Sequence, residues 1–376
     1  MSVMRFLREF SRIFTGLVFI FSGFVKGVDP LGTAYRLEDY FIAYGTSWAD
    51  PLALGLSIAL CSIEFLIGAA LVLNLRMKLT SVMLLVVMSF FTILTLLDAI
   101  YEPVSDCGCF GDAIKMTNWQ TFYKNIVLIV FAMIVFVERK KYLSGLSAKI
   151  QSIMLLLILS GFFWFSVFNY QHLPLIDFME WKKGRDMTPD TDAETHVYLT
   201  YRNIQSGETK EYLSPDYPWN DTVWLKDWAF VDQRTVVTGE TVPHGLLAED
   251  EEGFDVTLSL IDSPEYMFIA VSYHLESASG NGISNLMLLK DSIESHGFGF
   301  AMLTSSLPEQ VEEFLNQHNT EFPVYYADGV VLKSMVRANP GLMLFKSGVV
   351  IDKWHYNDFP EGDALGKFFD KLKKNE

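Results

Sequence analysis

Five apolar runs, each close to the length needed to cross a bilayer, fill the first 170 residues of the 376-residue chain and decide what it can fold into. A helix needs about 20 mainly apolar residues to cross a hydrocarbon core of about 30 Å. The runs are Phe10 to Val28, Pro51 to Leu73, Thr80 to Ile100, Phe122 to Val137 and Ile153 to Phe168. The last two are short, and Lys124 and Tyr170 can complete them by reaching toward the interface. Arg5, Arg8 and Arg12 precede the first run as in a secretory signal. No small-residue cleavage site follows, and Lys26 comes next, so the run reads as an uncleaved anchor. Spans joined by short connections fold into an antiparallel helical bundle.

Charge gives the orientation. Arg5, Arg8 and Arg12, then Arg76 and Lys78, then Arg139, Lys140, Lys141 and Lys149 mark alternate connections as basic. Glu38, Asp39, Glu102 and Asp106 lie in the others. The positive-inside rule puts the N-terminus in the cytoplasm and everything after Tyr170 outside. Net charge is +2 through Tyr170 and −18 beyond it, which excludes nucleic acid as a partner. In the first outer connection, Ala34, Leu37, Tyr40, Phe41 and Tyr44 recur at helical spacing, the pattern of an interfacial helix. An ordinary cap on the bundle gives the same pattern.

Two of the three cysteines stand together in Asp106-Cys107-Gly108-Cys109-Phe110-Gly111-Asp112, the loop between the third and fourth spans. An exported compartment permits disulfides. A ring closed across one residue requires a sharp bend, which glycine allows. Strained, exposed disulfides are the reducible ones that carry catalysis or regulation. The alternatives are a static staple and a metal pair, although zinc wants four ligands and no histidine lies near. All seven histidines follow the last span, so no haem is expected in the bundle. Cys61, inside the second span, reads as packing. Glu64 lies three residues on, on the same helix face, where an ionisable group is costly and faces the bundle interior. It reads either as a proton acceptor for redox chemistry above it or as a polar packing group. Asp98, Lys124 and Asn125 read as interfacial anchors.

Gly16 through Lys26, with Asp29-Pro30-Leu31-Gly32 and the Glu64-bearing span, resembles the DoxX family of small four-helix membrane proteins. The Asp106 to Gly111 loop, with Asn125 opening the next span, is similar to MauE, a relative of that group. The resemblance covers about residues 5 to 140 and implies a redox-associated bacterial inner-membrane protein. Such a protein helps exported partners acquire or exchange disulfides, with Cys107, Cys109 and Glu64 as its working residues. A quinone as electron acceptor follows by analogy with helical-bundle disulfide oxidases. The fifth span and a large exported domain go beyond the resemblance.

The division is therefore a four-helix bundle over 1–145, a fifth span over 146–170, a β-rich connecting region over 171–240 and an α/β domain over 241–376. In the connecting region, His196 to Tyr201 and Glu211 to Leu213 flank Ser206-Gly207-Glu208 as a hairpin. Trp219, Trp224, Trp228 and Phe230 would pack against it or, as the second reading, bind a partner. Beyond Thr241, strands at Tyr266 to Ser272, Gly299 to Thr304 and Pro323 to Tyr326 alternate with helices at Ile283 to His296 and Pro308 to His318. A hairpin at Leu342 to Phe345 and Val349 to Trp354 and a helix at Asp363 to Lys373 follow. This order resembles the thioredoxin-like fold, with Pro340 where that family carries its cis-proline and binds extended peptide. The family's Cys-x-x-Cys is missing: the chain reads Tyr273-His274-Leu275-Glu276-Ser277-Ala278-Ser279-Gly280, and no cysteine follows Cys109. Such a domain cannot exchange disulfides itself. A membrane thiol–disulfide protein acting on exported thiols is thus the first expectation. The second is a non-catalytic scaffold whose cysteines staple a loop. Transport lacks the broken, repeated spans it usually needs.

Overall fold

The computed structural model describes residues 3–104, 108–188, 194–213, 216, 218, 221, 223–238 and 245–374. Five of its helices are long and apolar enough to cross a membrane. They are α1 (Val3–Val28), α3 (Ala53–Val72, preceded by a 3-10 turn at Ser47–Leu52), α4 (Met77–Tyr101), α5 (Asn118–Val137) and α6 (Ala148–Gln171). A shorter helix, α2 (Pro30–Ala43), follows α1. The last two spans are longer than their apolar runs. Thr117 closes a capping box with Gln120, and Ser147 caps Ile150, so α5 and α6 each begin several residues before the hydrophobic stretch.

Small residues bring α1 and α3 together. A β-carbon at Gly23 would lie 2.6 Å from the Phe65 nitrogen, and one at Gly68 would lie 2.5 Å from the Ile20 nitrogen. In lipid no hydrophobic force drives helices together, so such close backbone packing is what holds them. Phe19, Ile67, Leu71, Leu84, Met88 and Leu128 fill the interior. The fifth span joins on the α1–α3 side, where Phe162 stacks on Phe65 at 4.1 Å between ring centres. Arg12 Nη1 donates to the Val72 carbonyl, 2.9 Å away, satisfying an acceptor at the end of α3.

A three-stranded antiparallel sheet follows, in the order β2 (Thr209–Leu213), β1 (Glu194–Asn203), β3 (Trp228–Thr238). The expected hairpin is present, with Tyr198 opposite Leu213 and Arg202 opposite Thr209. The third strand was not legible, and a single helical turn, α7 (Trp224–Asp227), leads into it. Trp224 meets the Tyr201 and Tyr212 rings edge to face, as expected of a packing residue. Trp219 lies outside the described residues.

The C-terminal unit holds a five-stranded mixed sheet in the order β6 (Val324–Tyr326), β5 (Gly299–Thr304), β4 (Met267–Val271), β7 (Gly341–Lys346), β8 (Val349–His355). The first three are mutually parallel, and β7 runs antiparallel to both β4 and β8. Parallel neighbours need crossovers, supplied by α9 (Gly280–Ser295) and α10 (Pro308–His318). The remaining helices are α8 (Thr257–Ile261), α11 (Gly329–Met335) and α12 (Gly362–Lys374). Side chains alternate between two cores, as the two-residue strand period requires. Phe268, Ala270, Leu342 and Leu344 face Leu286, Ile293 and Phe369 of α9 and α12. Ile269, Val271, Met343 and Phe345 face the other way, onto Trp181, Met187, Leu260 and Met335. The segment around Trp181 and Met187 therefore belongs to this unit, and the small sheet is inserted between it and Leu246.

Candidate functional site

The site lies where the bundle, α2 and the α/β domain meet. Its floor is an ion pair inside the bundle: Lys26 Nζ of α1 lies 2.8 and 2.9 Å from the two carboxylate oxygens of Glu64 on α3. The two residues are 5% and 2% exposed, so neither reaches water by itself. Such a pair survives only because each charge compensates the other. Ser22, one turn before Lys26 on the same face, lies 2.8 Å from Glu64 Oε2 and 2.8 Å from the Cys109 carbonyl oxygen. Its single O–H can donate to either acceptor, so the hydroxyl stands between the cysteine loop and the charge pair.

The loop reaches this depth because of glycine. Gly108 has φ +59°, and a β-carbon there would lie 2.1 Å from Arg36 Cδ and 2.3 Å from Arg36 Nε. Any side chain would collide with an arginine that α2 lays across the loop, in addition to the cost of that backbone conformation. Arg36 Nη2 then donates to Asp112 Oδ1 at 2.9 Å. Phe110 packs against Phe21 at 5.4 Å, with the Lys124 ammonium 4.3 Å above its ring.

The α/β domain closes on the same loop. Arg337 is buried, with Nε donating to Asp29 Oδ2 at 2.8 Å and Nη2 donating to Asp112 Oδ2 at 3.1 Å. Burial would lower the guanidinium, but Asp29, Tyr35 and Asp112 hold it above its ordinary value. Burial would raise the Asp112 carboxyl, yet Arg36 and Arg337 outweigh it and keep it below the usual range. Tyr35 of α2 donates to the Tyr273 hydroxyl at 3.0 Å, and burial pushes both phenols up. Lys333 Nζ lies 3.7 Å from Glu38. α2 is thus more than a cap. Asp29 caps it and grips Arg337, Pro30 opens it, and its polar residues bind the domain above.

The expected site residues divide as follows. Cys109 and Glu64 come together through Ser22. Cys107 lies outside the described residues. Cys61 is fully buried and free, a packing residue as expected. Pro340 follows a cis Asn339–Pro340 bond directly before β7 and is itself buried. Asn339 binds Ser272 and the His274 carbonyl, which ties that loop to the segment after β4. Asp98 and Asn125 are not interfacial anchors: both are buried. Tyr40 donates to Asp98 Oδ2 at 2.6 Å, and Asn125 donates to Thr95 Oγ1 at 3.1 Å. Tyr40 of α2 and Thr95 of α4 thus supply polar partners inside the bundle, where lipid would supply none. Reading the sequence missed Ser22, Arg36, Asp112, Arg337 and the role of Lys26. The four-residue spacing of Ser22 and Lys26 in an otherwise apolar run was the available signal.

Five spans, with buried charge beside a cysteine loop, define a multi-pass membrane protein with a polar site at one end of its bundle. The family described as Methylamine utilisation protein MauE matches residues 4–138, from the start of α1 through α5 and including the cysteine loop. That is just over a third of the chain, so the bundle is MauE-like, and α6 and the α/β domain lie beyond the match. No curated protein matches the chain.

Proposed function

We propose that this protein is a thiol–disulfide redox protein of the bacterial inner membrane, acting on exported proteins through Cys107 and Cys109. The N-terminus is cytoplasmic and the C-terminal domain periplasmic, a reading supported by the basic connections at the opposite end of the bundle. The observation that carries the proposal is Ser22, which touches both the Cys109 carbonyl and Glu64. A cysteine couple releases or takes up protons each time it changes state. A buried carboxylate, an ammonium and a bridging hydroxyl beneath the loop are groups that could take up such protons.

The C-terminal domain supports a thioredoxin-like reading by its sheet order, its final hairpin and helix, and the cis-proline before β7. Having no thiol, it serves here to position the loop, with the segment ahead of Pro340 gripping the bundle through Arg337. That grip also favours the second reading, a scaffold in which the cysteines only staple the loop. A redox titration of purified full-length protein carrying Cys61→Ser, read by alkylation and mass, separates the two. We expect a reversible couple above about −300 mV, outside the range of structural disulfides. Replacing Glu64 with Gln should change its pH dependence. A pair that never forms a disulfide, or stays oxidised well below that potential, overturns the redox reading.

A further inference from the structure

A cavity of about 310 Å³ lies on the other side of Cys109 from the charge pair. Its walls are apolar, built from Leu37, Phe41, Leu60, Phe90, Phe91 and Leu94. Phe90 is also 60% exposed on the flank of a spanning helix, so the cavity borders the lipid. Cys109, Lys26, Thr33 and Arg36 lie at its polar margin. A second, water-sized cavity of about 30 Å³ has mainly apolar walls, with Ser22, Lys26, Glu64 and Asn125 among its polar lining and Cys109 at its edge. Cys109, Lys26 and Phe91 line both. Cys109 thus lines both a small chamber that holds the charge pair and a larger apolar one, and one buried ammonium borders each.

We infer that the apolar cavity binds an isoprenoid quinone, which accepts the electrons of the cysteine couple; the inference rests on the redox reading above. The size lies within the range of small-molecule sites, about 300–1,000 Å³. A flat ring with carbonyl acceptors suits a slot walled by Phe41, Phe90 and Phe91, where offset aromatic contacts are favourable. The donors suit the carbonyls. Lys26 has three N–H bonds, and its hydrogen bonds among the described residues all go to Glu64. Two carboxylate oxygens leave one N–H for a ligand oxygen. A lipid tail would need no donor there, and a phosphate head group would not enter an apolar slot. Membrane exposure at Phe90 gives a hydrophobic ligand a lateral entry.

The reaction balances without a further reagent. The S–H bonds of Cys107 and Cys109 break and one S–S bond forms, releasing two electrons and two protons. The quinone takes up two electrons into its ring and two protons on its oxygens, giving the quinol. Glu64, Lys26 and Ser22 beside Cys109 would pass the protons between the two halves.

The test uses full-length protein in nanodiscs with an azidoquinone bearing a short alkyl tail, and an alkyl azide of the same tail as control. Photolabelling should fall on α2 and α4 with the quinone and not with the alkyl azide. It should persist in Cys109→Ser, because binding does not need the thiol. Leu94→Trp, or Leu60→Phe if the first variant does not fold, fills the slot. Either should weaken binding by about tenfold or more, equivalent to about 1.4 kcal/mol. In the dithiol state, wild-type protein should reduce a short-tailed quinone mole for mole, and the filled variant should not. Equal labelling by both probes makes the cavity a lipid slot and overturns the inference. So does labelling without quinone reduction in a protein whose cysteines titrate normally against glutathione. If the glutathione titration fails while specific labelling persists, the redox reading falls, the acceptor role falls with it, and the quinone site alone stands.

Discussion

Removing Lys26 while keeping Glu64 should cost the bundle several kcal/mol at neutral pH, and the cost should shrink in acid. The ammonium lies 2.8 and 2.9 Å from the two carboxylate oxygens, and both side chains are almost wholly buried. Deleting one partner of such a pair typically costs about 3–5 kcal/mol, because the other charge is left uncompensated. A ceiling comes from chemistry: a stranded carboxylate accepts a proton instead of staying charged. Protonating an ordinary glutamate, which titrates near 4.3, costs about 3.7 kcal/mol at pH 7, at 1.36 kcal/mol per pH unit. Lys26→Met should therefore destabilise by about 3–4 kcal/mol at pH 7 and by only about 1 kcal/mol at pH 5. The double variant Lys26→Met, Glu64→Leu, which replaces the pair by apolar side chains of similar volume, should lie within about 1 kcal/mol of the native protein. Equilibrium unfolding in mixed micelles, followed by helical circular dichroism at both pH values, measures all three. A Lys26→Met penalty below about 0.5 kcal/mol, or one that does not change with pH, would refute the view that the pair is charged and mutually dependent.

Arg337→Met should loosen the α/β domain from the bundle, since it removes two charge-assisted hydrogen bonds of about 1.5–3 kcal/mol each. The readout is alkylation of Cys109 by a bulky maleimide in folded protein: the rate should rise, and an unchanged rate would mean that Arg337 does not hold the domain over the loop. His355, which accepts from the Asn357 nitrogen and is buried, titrates near 4 because burial disfavours its charged form. The unfolded chain, with histidine near 6.5, binds the proton first, so this contribution is intact above about pH 6.5 and is lost as pH falls toward 4. Thermal unfolding from neutral pH downward should show a steeper fall for the native protein than for His355→Gln, and parallel curves would contradict it.

Periodicity carried the larger elements. Five apolar runs of the right length became five spans, and the strand and helix alternation after Thr241 became the mixed sheet with little movement of its ends. What escaped had no local signature. The third strand of the small sheet carries Asp232, Gln233 and Arg234 in its middle, so no alternation marked it. α11 is seven residues long and announces itself only by the Asp328 cap. Trp181 and Met187 enter the core of a sheet whose first strand begins some eighty residues later, and nothing in a window around them says so. Glu64 was singled out because charge is costly in a span. Its partner was missed because Lys26 stands near a helix end, where a lysine is ordinary. Asp98 and Asn125 read as anchors because position along a span does not give depth: Tyr40 of α2 meets Asp98, and Thr95 of α4 meets Asn125, inside the bundle. Arg337 and Asp112 are 225 residues apart, and only the folded chain brings them together.

The geometry of the loop decides how partners can reach it. Ser22 stands six residues before the end of α1, about 9 Å along the axis, so the Cys109 carbonyl lies below the rim of the bundle. From the rim, Arg337, Tyr273 and Lys333 of the α/β domain close over α2 and Asp112. From the side, the way to Cys109 runs between α2 and α4 past Phe90. A small hydrophobic molecule dissolved in lipid can use the lateral route with the domain in place. A protein thiol cannot pass through the slot and must approach from the rim, which requires the Arg337 contacts to open. The two halves of a redox cycle would then be separated in space, with the protein partner governed by a domain that has no cysteine of its own. On the proposed redox reading, a domain without thiols would have a task in thiol chemistry: it would control access, and its grip would set how often the loop is uncovered.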